Sequence, residues 1–162
     1  IAKSDLVSVP FLSRMMAGLG VIALDRNNDR EGAKSIINAI KQVKSGKNYI
    51  IFPEGGVKTR NTEHMVALRA GAYKLATKAN AVISPISIIG SSLLSENTPH
   101  KASKVTIVIH RPITPEEYND YNTKAIGQKI FTIVNYGIDT QKPNTLDFKD
   151  VIPTEVGEEL ES

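Results

Sequence analysis

Tyr49-Ile50-Ile51-Phe52-Pro53-Glu54-Gly55-Gly56-Val57-Lys58-Thr59-Arg60 is an apolar run that stops at a proline and opens onto a charged loop with two adjacent glycines. Proline has no N–H to give to a sheet ladder, so Pro53 is expected to end a strand over 48–52 and to deliver Glu54 to its carboxyl end. Open α/β sheets place their sites at that end. The run lacks strict alternation of apolar and polar residues, which fits a strand buried on both faces of a parallel sheet.

Upstream, Ala33, Ile36, Ile37, Ile40 and Val43 recur at three- and four-residue steps and predict an amphipathic helix from Asn28 or Asp29 to about Ser45. Gly46 supplies its left-handed exit. Before that helix, Gly20-Val21-Ile22-Ala23-Leu24 predicts a strand over 21–25, and a short helix is expected over 11–18. Strand, helix and strand then make one βαβ unit with a right-handed crossover. Arg26 follows the first strand. Its planar guanidinium suits a phosphate, while residue type alone favours a surface pair with Asp25 or Asp29.

Downstream, a second amphipathic helix is expected over 63–79 with Met65, Leu68, Ala72, Leu75 and Ala76 inward and His64 exposed in its first turn. Arg69 stands on the polar side of that helix, beside a glycine that allows another backbone to come close. A third strand over 82–89 carries Pro85, which marks an edge or a bulge. A fourth strand is expected over 105–110. Thr114-Pro115-Glu116-Glu117 reads as a helix start, and a last helix over 122–138 is expected to bury Ile126, Ile130, Ile133, Val134 and Ile138. Residues 139–162 read as an acidic, poorly packed tail in which Leu146, Phe148, Val151 and Ile152 are the candidates to dock on the body.

The 162 residues suit one domain, and the absence of cysteine excludes disulfides, thiol nucleophiles and cysteine metal sites. No apolar segment reaches the length of a membrane span and no secretion signal opens the sequence, which sets the expectation of a soluble or peripheral protein. Charge is uneven: residues 139–162 hold seven acids against two lysines, and residues 1–138 hold 18 bases against ten acids. A basic body suits phosphate-bearing ligands, an anionic membrane surface or nucleic acid, and a merely soluble surface is the commonest reading of such a charge. Neither a P-loop nor a G-x-G-x-x-G fingerprint is present, so no nucleotide cofactor is indicated. Aromatic residues are too scattered for a base-stacking platform, and no nucleic-acid partner is expected.

Phe52-Pro53-Glu54-Gly55 resembles the signature loop of the glycerolipid acyltransferases, especially the 1-acylglycerol-3-phosphate acyltransferases that make phosphatidic acid. Lys3-Ser4-Asp5-Leu6 through Pro10-Phe11 is similar to that family's lysine-containing segment, and Gly20 through Arg26 to its arginine-ending block. Leu68-Arg69-Ala70-Gly71-Ala72 and Val82-Ile83-Ser84-Pro85-Ile86 resemble its glycine-containing helix and the strand after it. The resemblance covers residues 1–138 and implies an α/β fold: a mixed, largely parallel sheet flanked by helices, as in glycerol-3-phosphate acyltransferase-like domains. It divides the chain into an N-terminally incomplete acyltransferase-like domain, 1–138, and the acidic tail, 139–162.

The resemblance further implies a reaction in which a fatty acyl group passes from acyl-CoA or acyl-carrier protein to lysophosphatidate, with no cofactor beyond the acyl donor. Lys3 and Arg26 would bind the acceptor phosphate, Glu54 would hold the glycerol backbone, and Gly55 would let the ligand approach the loop. The family follows Glu-Gly with threonine and arginine. Here those positions are Gly56 and Val57, so Lys58 or Arg60 is expected to supply the cation. The family's base is a histidine separated by four residues from an aspartate. The three histidines here are followed five positions on by Arg69, Val105 and Pro115, so that pair is expected upstream of Ile1 in a longer chain. The expected location is the cytoplasmic face of a membrane, peripheral or anchored by that upstream segment. The alternative reading is a non-catalytic lipid-phosphate or membrane-binding module with the same fold.

Overall fold

Helix and strand formation divide along the chain into two units, residues 1–51 and 52–162. The computed structural model describes residues 2–3, 11, 13–14, 21, 23–24, 29–56, 59, 61–69, 71–94, 101–154 and 158–160.

In the first unit, β1 (Ala2–Lys3) pairs in parallel with β2 (Ala23–Leu24), Ala2 opposite Ala23 and Lys3 opposite Leu24. Phe11, Ser13 and Arg14 are helical, and the rest of the helix expected over 11–18 lies outside the described residues. Helix α1 runs over Asp29–Lys44. Its less exposed side carries Ile36, Ala39, Ile40 and Val43, whereas Ala33 and Ile37 are exposed. Ile37 lies roughly 100° around the helix from Ile36, which takes it off the stripe to which the spacing assigned it. Gly46, at φ +91°, ends the helix in a Schellman turn: its N–H donates to the Val43 carbonyl at 2.9 Å and that of Lys47 to Gln42 at 3.1 Å.

No regular strand forms over 47–52, which corrects the expected strand and the βαβ unit built on it. Tyr49 Oη donates to Gln42 Oε1 at 2.7 Å, turning the segment back on the end of α1, and Ile50 and Phe52 are 73% and 66% exposed. Apolar content makes a strand only where a neighbour offers a matching edge. The parallel partner of β2 is β1 instead.

The second unit contains β3 (Ala67–Arg69), α2 (Gly71–Ala79), β4 (Ile86–Ile89), β5 (Thr106–Ile109), α3 (Pro115–Tyr118), α4 (Thr123–Thr140) and β6 (Glu158–Leu160). β3 and β6 are parallel, with Ala67 opposite Glu158. β4 and β5 are antiparallel, with Ile86 opposite Ile109 and Ile88 opposite Ile107. The fold is therefore mixed α/β. Pro85 interrupts the third predicted strand as expected: Ile83 and Ile113 exchange N–H···O bonds of 2.9 and 2.8 Å, and β4 resumes at Ile86. Ser87 and Val108 on this hairpin are buried, while Ile86, Ile88, Ile107 and Ile109 share the exposed face.

Helix α4 supplies the centre of the core with Ile126, Ile130, Phe131 and Ile133, packed with Leu68, Tyr73, Ile113 and Tyr118. Its N-cap is Asn122, whose side chain accepts the Ala125 N–H at 2.8 Å. One expectation is corrected here. The second helix starts at Gly71, not near 63: Met65 and Leu68 are buried as anticipated, but from an extended segment whose N–H groups are taken by side chains from elsewhere. Beyond 139 most of the described residues are exposed, and the chain touches the core at two of the four positions expected to dock. Phe148 and Val151 are buried in the core, whereas Leu146 and Ile152 are exposed. Lys129 of α4 holds that segment, its Nζ donating to the carbonyls of Phe148 (3.0 Å), Lys149 (3.1 Å) and Val151 (2.6 Å).

Candidate functional site

Pro53 and Glu54 form a turn that is stitched to the extended segment ahead of α2. Arg69 N–H donates to the Pro53 carbonyl at 3.0 Å, and Glu54 Oε1 accepts from Val66 N–H at 2.8 Å and Ala67 N–H at 3.2 Å. On α4, Asn135 accepts the Met65 N–H at 2.9 Å and donates to the Met65 carbonyl at 3.0 Å. In a helix beginning at 63 the Met65 and Val66 N–H groups would lie in the first turn without an intrahelical acceptor; here side chains from elsewhere satisfy them. Glu54 thus spends one oxygen holding β3 in place. The other has no hydrogen-bond partner among the described residues.

Gly55 adopts φ +73°, a backbone region that favours glycine, and its N–H closes the turn onto the Phe52 carbonyl at 3.1 Å. Its face is covered by the Arg69 side chain: a Cβ at Gly55 would lie 2.7 Å from both Cδ and Nε of Arg69. Arg69 Nε is buried and unpartnered, and among the described residues no carboxylate lies within ion-pairing distance of this guanidinium. Glycine pairing of loop and arginine is the feature that sequence reading missed. Arg69 carried only the hint of its neighbouring Gly71.

Two further anchors shape the surroundings. Glu63 accepts from Gly90 N–H at 2.7 Å and from Ser92 Oγ at 2.9 Å. The Gly90 N–H chiefly, aided by Ser92 against the opposing effect of burial, holds the Glu63 carboxyl below its ordinary range. His64 Nε2 lies 2.6 Å from Asp139 Oδ1, and His64 Nδ1 lies 2.9 Å from Thr62 Oγ1. Since a carboxylate only accepts, Nε2 carries a proton and donates it to Asp139. This histidine–aspartate pair is solvent-exposed and arises from residues 75 positions apart, unlike a His-x4-Asp motif.

Of the residues expected to bind substrate, Glu54 and Gly55 stand together in the second unit, on the loop joined to β3. Lys3 lies in β1 of the first unit. Arg26, Lys58 and Arg60 lie outside the described residues.

The family model "Acyltransferase" matches residues 1–89, over half of the sequence and including the Phe52–Gly55 loop and Arg69, so the chain belongs to the acyltransferase family. Within it, the chain is similar to 1-acyl-sn-glycerol-3-phosphate acyltransferases. It is 29% identical over 119 residues to that of Helicobacter pylori, covering 72% of this chain and 49% of the relative. It is 30% identical over 92 residues to that of Borreliella burgdorferi, covering 57% and 36%. The probable enzyme of Mycoplasma genitalium is 25% identical over 154 residues, covering 89% and 56%. The chain spans about half the length of the curated relatives it matches. The crystal structure of the 1-acyl-sn-glycerophosphate (LPA) acyltransferase PlsC from Thermotoga maritima shares the fold, with a TM-score of 0.68 at 21% identity over 86% of this chain and 55% of that one.

Proposed function

We propose that this chain serves the transfer of a fatty acyl group from acyl-CoA or acyl-carrier protein to 1-acylglycerol-3-phosphate, giving phosphatidic acid in phospholipid biosynthesis. The acyltransferase match over residues 1–89, which contains the Glu54 loop, carries this reading. The names of the similar proteins support the choice of acceptor. In such a reaction the free glycerol hydroxyl oxygen attacks the thioester carbonyl carbon. A C–O bond forms, the C–S bond breaks, and the hydroxyl proton passes through a general base to the departing thiolate.

The residues of this chain hold the acceptor. Glu54 has one oxygen committed to β3, which leaves the other to accept a hydrogen bond from a glycerol hydroxyl. A carboxylate would repel a phosphate, so the phosphate falls to cations, for which Lys3, Arg26, Lys58 and Arg60 are the candidates. The base is assigned to a histidine oriented by an aspartate, in a His-x4-Asp pair outside these 162 residues. Amphiphilic substrates support a location at a membrane surface, which we assign to the cytoplasmic face, peripheral or anchored by an upstream segment. Among the described residues no helix is long and apolar enough to cross a membrane.

The test is acyl transfer from labelled acyl-CoA to lysophosphatidate by the full gene product. Glu54→Ala and Arg26→Ala are each expected to abolish transfer, and near-normal rates in both would reject the site. Gly56 and Val57, standing where the family has threonine and arginine, favour a second reading as a non-catalytic lipid-phosphate or membrane-binding module. Lysophosphatidate binding without coenzyme A release by the full gene product would select it.

A further inference from the structure

Arginines that serve only the fold are recognisable by their partners, and Arg69 has none of the usual ones among the described residues. Its backbone is committed, N–H to the Pro53 carbonyl at 3.0 Å, and its Cδ, Nε and Cζ lie over Gly55, so the direction of the side chain is set by the loop. The guanidinium at the end of that side chain meets neither a carboxylate nor a hydrogen-bond acceptor among the described residues, and its Nε is shut away from solvent. Glu54, the nearest acid in sequence on the facing loop, directs Oε1 to Val66 and Ala67 instead. No acid stands in the first turn of α2, immediately after Arg69. With Nε enclosed, the edge left for a ligand is the Nη1–Nη2 pair, whose two parallel N–H bonds match two oxygens of a phosphate.

We propose that Arg69 is the phosphate clamp of the acceptor site, aimed by Gly55 and unopposed by Glu54. The assignment rests on reading the Glu54 loop as the acceptor site, and it adds a cation from β3 to those expected from the sequence. It also gives Gly55 a specific task. Any side chain there would push the Arg69 stem off the loop, so Gly55 orients the arginine as well as admitting the ligand. The paired arrangement selects acceptors with a phosphate monoester over neutral monoacylglycerols.

The experiment measures binding of the purified 162-residue chain to phosphatidylcholine vesicles containing either lysophosphatidate or monoacylglycerol, with inorganic phosphate as competitor. The chain is expected to prefer lysophosphatidate, with phosphate displacing it. Arg69→Gln is expected to weaken that binding by about ten- to a hundredfold and to erase the preference. Arg69→Lys keeps the charge without the planar fork and recovers only part of it. Lys74→Gln removes an exposed cation from α2 and leaves binding unchanged. Thermal melts check that each variant is folded. If Arg69→Gln is not, the wild-type Arg69 Nε–Hε resonance in a 15N spectrum is followed during titration with glycerol 3-phosphate, and it must shift. Wild-type binding retained in folded Arg69→Gln, or an unmoved resonance while lysophosphatidate still binds, overturns the clamp and leaves the acceptor site standing. Equal wild-type binding to both vesicle types overturns the acceptor reading and the clamp with it.

Discussion

Ser87 Oγ and His110 Nε2 lie 2.8 Å apart, both side chains buried, on adjacent strands of the β4–β5 hairpin and its end. The pair has the composition of a nucleophile and its base but the opposite polarity. Asn144 N–H donates to His110 Nδ1 at 2.9 Å, so the ring proton sits on Nε2 and is given to Ser87. Ser87 passes its own proton to the Val134 carbonyl at 2.7 Å. The chain of donors runs from loop to strand to helix α4. It ties three elements together and leaves the imidazole no lone pair with which to activate the serine.

Ser87→Ala should therefore act on stability and not on chemistry. It leaves the His110 N–H without its partner in the core and takes the second donor from the Val134 carbonyl, a cost of about 1–3 kcal/mol in a urea melt. Acyl transfer per folded molecule should be unchanged.

Burial lowers the His110 titration below its ordinary value of 6.5, because a charged ring is poorly solvated there and Nδ1 is needed as an acceptor. The folded state thus binds the proton less well than the unfolded state. The resulting stability is present above pH 6.5 and is lost as the pH falls from there through the lower folded value. Urea melts from pH 7.5 to 4.5 should show a fall that is shallower in His110→Gln, whose position no longer titrates.

Lys129 is buried beneath the segment that follows α4, with three backbone carbonyls as acceptors and the rings of Tyr121 and Phe148 at 5.1 and 5.4 Å from Nζ. Lys129→Met keeps much of the stem and removes every donor. The expected loss is about 1–3 kcal/mol, and limited proteolysis should cut between 141 and 154 sooner than in the wild type.

Glu54 separates into two tasks by substitution. Glu54→Gln retains a carbonyl oxygen for Val66 and Ala67 N–H, so its melt should stay within about 1 kcal/mol of the wild type. Glu54→Ala abandons both N–H groups and should cost about 1–3 kcal/mol. Acyl transfer should be lost in both, since only a charged carboxylate holds the glycerol hydroxyl strongly. Activity retained in Glu54→Gln would reduce Glu54 to a pin for β3.

Local rules that close within a few residues were legible in the sequence. The spacing of Ile126, Ile130 and Ile133 marked α4, Gly46 marked the end of α1, and Pro85 marked the break before β4. Phe52-Pro53-Glu54-Gly55 marked the loop, because a proline without an N–H followed by glycine is a local statement about the backbone. Which face Met65 and Leu68 buried was also readable, since apolar residues are buried in either conformation. That they do so from an extended segment was decided by Glu54, which reaches in from 12 and 13 positions away, and Asn135, from 70, to take the backbone N–H groups. The burial of Phe148 likewise depends on Lys129 waiting on α4. The pairing of Gly55 with Arg69 belongs to the same class: the sequence alone determined the turn at Glu54, and only tertiary structure laid an arginine across its glycine, because that contact exists only once the loop and β3 share hydrogen bonds.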